Sequence, residues 1–230
     1  MKTDFNKVIK ESFKITVPVM AGYVFLGITF GLVTETSGFS WWIPILMSTV
    51  IFSGALEFAA VPILSATFDP FGAFILGITL SARHLFYGIP MLKKYENTGK
   101  AKPFLIFGLT DETFSILSTT DVRKDINPKQ FYLFVTLFDF LYWNIGTAFG
   151  ALLGNVLTVD LQGLDFVLTA LFIVLFLEQI KTKTGLISGF AGLIISALTL
   201  TLFGSSSFVI IAMLFIIVIL IAGRRIISHE

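Results

Sequence analysis

The sequence predicts an all-α polytopic membrane protein in a single transmembrane domain spanning 1–230, and three observations carry that expectation. Of the 230 residues, 55% are hydrophobic and only 13% are charged, against about 25% charged in a soluble domain. Mean hydropathy is +0.89, with 26 Phe among the apolar residues. The apolar residues fall in long Leu/Ile/Phe/Val runs rather than in the strict alternation of a membrane β-barrel. Almost every window of about 20 residues is committed to the bilayer, which leaves no room for a soluble catalytic domain. A net charge of +1 offers no basic face to nucleic acid. The absence of Cys excludes disulfides, thiolate metal sites and cysteine nucleophiles.

Taken in order, residues 1–14 carry Lys2, Lys7, Lys10 and Lys14 with Asp4 and Glu11, and no small-residue cleavage site precedes Pro18. They read as a cytoplasmic amphipathic lead-in rather than a cleaved signal peptide. About eight apolar segments follow: Thr16–Thr34, Trp41–Phe68, Phe71–Leu92, Pro103–Thr119, Phe131–Leu157, Leu164–Ile180, Thr184–Phe203 and Phe208–Gly223. Trp41 and Trp42 suit an interfacial belt, and Asp165 suits a helix N-cap.

The basic residues decide how these segments thread. Of the 16 Lys and Arg, all but Arg83 lie in the lead-in, in the loops 93–102 and 120–130, at Lys181 and Lys183, or at Arg224 and Arg225. Lys and Arg favour the cytoplasmic side, yet single crossings by every segment would put strongly basic loops on both faces. The conflict disappears if two segments enter and leave by one face. The short run Pro103–Thr119 joins two basic loops, and Trp41–Phe68 is interrupted by Gly54 and Pro62 around Glu57. Short or Gly/Pro-broken segments are the sequence pointer to discontinuous helices lining a transporter site. The plain alternative is eight simple spans with a weak charge bias. Both versions place the two termini in the cytoplasm.

Small residues recur at helical spacing in Gly27-xxx-Gly31, Gly146-xxx-Gly150-xxx-Gly154 and Gly185-xxx-Gly189, which lets helix backbones approach closely. The strings Gly27-Ile-Thr-Phe-Gly31 and Gly146-Thr-Ala-Phe-Gly150, with Leu56-Glu57 echoed by Leu177-Glu178, hint at an internal repeat.

The intramembrane ionisable residues are Glu57, Arg83, His84, Asp111, Glu112 and Asp139, with Glu178 near a segment end. Exposing Glu57, Arg83, Asp111 and Glu112 to lipid would cost about 10 to 14 kcal/mol on insertion scales, so they face inward. Adjacent helical residues point about 100° apart, so Asp111 and Glu112 aim at one partner only if the helix breaks, at Gly108 or Thr110. Arg83 is the one buried cation and the natural ion-pair partner for either acid. That pair either locks two helices together or forms part of a site. In a site, Arg83 or a helix end holds a substrate carboxylate while an acid takes the substrate amine or a coupling proton. His84 suits either a structural role or a proton relay. Asn144 reads as a helix cross-link or a weaker site candidate, and Pro90 as a segment end or kink. With His84 and His229 as the only histidines, no zinc or haem site is expected. Walker-loop and nucleophile-elbow motifs are absent, so no cofactor and no enzyme activity are expected.

Phe52-Ser-Gly-Ala-Leu-Glu-Phe58, Ala82-Arg-His-Leu-Phe-Tyr-Gly88, Gly108-Leu-Thr-Asp-Glu-Thr-Phe114, Asn144-Ile-Gly-Thr-Ala-Phe-Gly150 and Gly163-Leu-Asp-Phe166 lie in order from about Pro18 to Glu178. Together they resemble the AzlC family (LIV-E), the large subunit of branched-chain amino acid exporters. The resemblance implies export of valine, leucine, isoleucine or related neutral amino acids across a prokaryotic inner membrane, driven by a proton gradient or the membrane potential. It also implies a small four-helix AzlD-like membrane subunit as partner. One position departs from the family pattern: Glu57 stands where many members carry Gln, which reads as a tuning of substrate or proton coupling. The competing reading is a channel-like or scaffolding membrane subunit whose buried charges are structural.

Overall fold

The computed structural model describes residues 5–66, 69–123, 125–156, 183–204 and a few positions in 173–180 and 211–219. The side chains of 79, 82–83 and 85–86 are outside that description. So are Asp165, Glu178 and most of the segments Leu164–Ile180 and Phe208–Gly223. Among the described residues all regular structure is helical: α1 (Phe5–Thr36), α2 (Trp42–Val50), α3 (Gly54–Ser65), α4 (Pro70–Tyr95), a 3-10 turn (Gly99–Ala101), α5 (Lys102–Phe107), α6 (Asp111–Thr119), α7 (Pro128–Val156) and α8 (Lys183–Phe203). Three helices there are long and apolar enough to cross a membrane, namely α1, α7 and Gly185–Phe203 of α8. The chain packs as two compact units, Met1–Gln162 and Gly163–Glu230.

Local chemistry sets the helix ends. Asp69 caps α4 by accepting the Gly72 N–H at 2.9 Å, with Pro70 in the first turn. Asn127 accepts the Lys129 N–H at 3.0 Å as α7 opens on Pro128. The lead-in is not separate from the first apolar segment: α1 runs unbroken from Phe5 through Pro18 to Thr36. Pro90 likewise lies inside α4, which continues to Tyr95. Within α1, the hydroxyls of Thr29, Thr34 and Thr36 donate to carbonyls four residues earlier, a local satisfaction that suits a polar group without water.

The first unit is built on α1 and α7, which lie side by side and parallel. Phe5 packs on Phe134, Phe13 on Phe138 and Tyr23 on Trp143, while the Glu35 side chain reaches Gly154. The small residues make this possible. A Cβ on Gly27 would sit 2.7 Å from the Trp143 carbonyl oxygen, and one on Gly150 would sit 2.7 Å from Ile28 backbone carbon. The two glycine stripes are thus the two sides of one close crossing.

Both expected discontinuities are present. The run 41–68 breaks at 51–53, where Phe52 adopts φ 46, and Pro62 is accommodated inside α3 instead of interrupting it. The short run breaks at Gly108–Thr110, between α5 and α6. The breaks meet at α7: the Phe52 ring lies 4.9 Å from Phe140 and 6.0 Å from Phe107, and Phe107 lies 6.3 Å from Phe140.

The ends of the broken pairs are also fixed. At the end of α4, the Lys94 amine donates to the Leu117 and Ser118 carbonyls at the end of α6. Met91 and Tyr95 of α4 share one buried cluster with Val8 of α1, Leu105 of α5, Leu117 of α6 and Phe131 of α7. The start of α1, the end of α4, the α5–α6 pair and the start of α7 therefore gather at one end. There the Lys7 amine pairs with Asp125, and Arg123 reaches Asp125 at 3.2 Å and Glu11 at 3.6 Å. The hydrogen bond from Lys7 holds the half-exposed Asp125 carboxyl below its ordinary range.

Large apolar side chains cover much of the outside, with Phe25 68%, Phe71 72% and Val156 79% exposed. In water such surface would drive aggregation, whereas lipid tails solvate it.

Candidate functional site

Two buried carboxyls lie near the helix breaks, one on α3 and one on α7 itself. Glu57 lies in the first turn of α3 with no exposed surface. Its Oε1 accepts the Ser53 N–H at 2.9 Å, and the Trp143 indole N–H points at both carboxylate oxygens, 3.2 and 3.0 Å away. Glu57 thus satisfies two donors that the break leaves in an apolar setting, and it sits at the positive end of the α3 dipole.

Asp139 lies one helical turn before Trp143 and is also fully buried. Thr113 Oγ1–H donates to Asp139 Oδ2 at 2.7 Å, while Asp139 Oδ1 has no hydrogen-bond partner among the described residues. Thr110, the N-cap of α6, accepts the Thr113 N–H at 3.2 Å, and its hydroxyl donates to Thr113 Oγ1 at 3.0 Å. Tyr23 of α1 completes the arrangement, its hydroxyl 2.7 Å from both Thr110 Oγ1 and Glu112 Oε2. With a single hydrogen, Tyr23 donates to one of the two at a time. Its ring packs edge-on against Trp143 at 5.8 Å, so the Glu57 and Asp139 clusters adjoin.

The other residues singled out from the sequence fall around this centre. Asp111 and Glu112 are half-buried in the first turn of α6, where acids complement the helix dipole. Arg83 lies on α4, and its pairing with Asp111 or Glu112 falls outside the described side chains. His84 Nδ1 is 3.2 Å from the Ser81 carbonyl, and its ring is 5.2 Å from Tyr87, which stacks on Phe114 of α6 at 5.3 Å. Asn144 bridges α7 to α2: its Oδ1 is 2.9 Å from the hydroxyls of Ser48 and Thr49, and its Nδ2 donates to the Phe140 carbonyl. Tyr23, Thr110, Thr113 and Trp143 were not among the sequence candidates. Only the lone Tyr of the first apolar run and the Thr-x-x-Thr spacing at the second break could have pointed to them. Among the described residues, no three His, Cys, Asp or Glu side chains gather into a metal-binding group.

Apolar helices, two broken helix pairs and carboxyls buried where those breaks meet define a helical membrane protein with a polar centre. Comparison with known proteins narrows the class. The AzlC protein family model matches residues 18–157, and the chain belongs to that family. It is 45% identical over 216 residues to the branched-chain amino acid transport protein AzlC of Bacillus subtilis, covering 94% of this chain and 85% of that protein. An uncharacterised membrane protein of Helicobacter pylori is 35% identical over 96% of this chain and 97% of its own length. The inner membrane protein YgaZ of Escherichia coli is 30% identical over 76% of this chain and 75% of its own. No solved structure matches the chain. The family is one of transport proteins rather than enzymes, and the chain is a membrane protein.

Proposed function

We propose that this protein is the large subunit of a secondary transporter that exports branched-chain or related neutral amino acids from a prokaryotic cell. The observation that carries the reading is the 45% identity to the Bacillus branched-chain amino acid transport protein over 94% of this chain. The geometry supports it. In this reading α2–α3 is a hairpin dipping in from the far face and α5–α6 a hairpin dipping in from the basic, cytoplasmic face. The two meet in mid-membrane, where discontinuous helices and acids handle ions and zwitterions. Transport is coupled to the proton gradient or the membrane potential, with Glu112 and Asp139 as the acids placed to carry a proton. Arg83 and the start of α6 offer positive charge to a substrate carboxylate. About eight hydrophobic segments, both termini in the cytoplasm and a small four-helix AzlD-like partner complete the assembly.

The test is efflux of preloaded labelled valine from cells that express the chain with its small partner, against cells that express neither. Faster efflux is expected, and unchanged efflux refutes the reading. A channel-like or scaffolding subunit is the second reading. It draws on Glu57 and Asn144, whose bonds to Trp143 and to Ser48 and Thr49 join α3 and α2 to α7.

A further inference from the structure

Among the described residues, several buried or half-buried threonine hydroxyls donate to their own helix, as Thr29, Thr34 and Thr36 do. Thr110 and Thr113 do not: the Thr110 hydroxyl points to Thr113, and the Thr113 hydroxyl points to Asp139. Adding Tyr23 gives an unbroken line of oxygens from Glu112 Oε2 through Tyr23, Thr110 and Thr113 to Asp139 Oδ2. Its steps are 2.7, 2.7, 3.0 and 2.7 Å, all ordinary O–H···O distances. The line begins at a half-exposed carboxyl and ends at a fully buried one whose other oxygen has no partner among the described residues. It runs from α6 to α1, back to α6 and on to α7, so relative movement of these helices would open or close it. Among the described residues, the titratable groups acting on Asp139 through space are Glu112 from α6, Tyr23 from α1 and Tyr142 from α7 itself.

We propose that Tyr23, Thr110 and Thr113 form a proton relay between Glu112 and Asp139, rather than a set of static cross-links. When Glu112 is protonated it gives its hydrogen to the Tyr23 oxygen. Tyr23 passes its own hydrogen to Thr110, Thr110 to Thr113, and Thr113 to Asp139 Oδ2. Each hydroxyl ends with one hydrogen. Glu112 becomes the carboxylate and Asp139 the neutral acid, so one proton has moved and no charge is created. The reverse shift returns it. The relay rests on the proton-coupled transport reading above and supplies its pathway.

The experiment uses proteoliposomes holding the full chain and its small partner subunit. It reads two quantities: proton flux driven by a valine gradient, followed with an entrapped pH dye, and valine counterflow, which needs no net proton movement. Tyr23→Phe and Thr113→Val remove one hydroxyl each while keeping shape. The ratio of proton flux to counterflow is expected to fall at least about tenfold in both, as for loss of a positioned acid–base group. Thr113→Ser should restore it, and Thr34→Val, a buried hydroxyl outside the line, should leave it as in the unmodified protein. If both hydroxyl-free variants melt normally and keep the ratio, the relay is overturned. If Thr113→Val fails to fold, Tyr23→Phe decides the question on the same ratio. Counterflow without proton flux in the unmodified protein refutes the proton coupling itself, and the relay with it. Absence of counterflow refutes the carrier reading instead.

Discussion

Glu57 separates two roles that a buried acid can hold. Its observed bonds are acceptor bonds, from the Ser53 N–H and the Trp143 indole, and Oε1 alone lies within reach of both donors. A Gln amide oxygen in that place can take both. Glu57→Gln is therefore expected to leave the melting temperature within a few degrees and transport intact. Glu57→Ala strands two buried donors at about 1–3 kcal/mol each, so a clear drop in melting temperature in detergent is expected. Abolished transport in a stable Glu57→Gln protein would instead assign the charge a direct role. Phe52 makes a similar point about strain. A bulky residue at φ 46 costs about 1–3 kcal/mol, and burial of its ring against Phe107 and Phe140 offsets that cost.

At the scale of elements, the close crossing of α1 and α7 is the frame on which both broken pairs hang. Gly150→Ala would drive a Cβ into the Ile28 backbone, which cannot swing aside as a side chain can. A destabilisation of about 1–3 kcal/mol or more is expected. Gly22 lies on α1 with nothing within 4 Å of a Cβ, so Gly22→Ala is expected to be neutral or slightly stabilising. Thermal melting of the two variants side by side checks the pair, and equal melting temperatures would contradict the crossing. The glycine stripes were visible in the sequence, but not that the first segment pairs with the fifth, because spacing marks a face without naming its partner. The break at 108–110 was legible because an apolar run cannot carry Asp111 and Glu112 on one straight helix without cost. The other break was placed too late. Gly54 and Pro62 signal interruption in sequence, whereas the turn falls on Phe52, held by tertiary packing that no local propensity reports.

For the whole molecule, composition and hydrophobic runs were enough to read a helical membrane protein, since bilayer insertion constrains every segment at once. The hydroxyl line was hidden, because Thr and Tyr are common and only the meeting of α1, α6 and α7 gives these their meaning. The threading of the two hairpins makes its own prediction. Asn97 and Asp121 are exposed on either side of the α5–α6 pair, and the native chain has no Cys. Single cysteines at these two positions should react with an impermeant thiol reagent from the same, cytoplasmic, side. Reaction from opposite sides would mean that α5–α6 crosses the membrane.

The central claim is that this chain carries a neutral amino acid by alternating exposure of a mid-membrane site, and counterflow tests it without reference to any driving gradient. Liposomes containing the chain and the proposed small partner subunit are loaded with unlabelled valine and diluted into a trace of labelled valine. A transient accumulation of label above equilibrium is expected, because a carrier returns occupied. Label that merely equilibrates, at the rate of empty liposomes or faster but without overshoot, would contradict the carrier account and leave a passive or structural membrane subunit in its place.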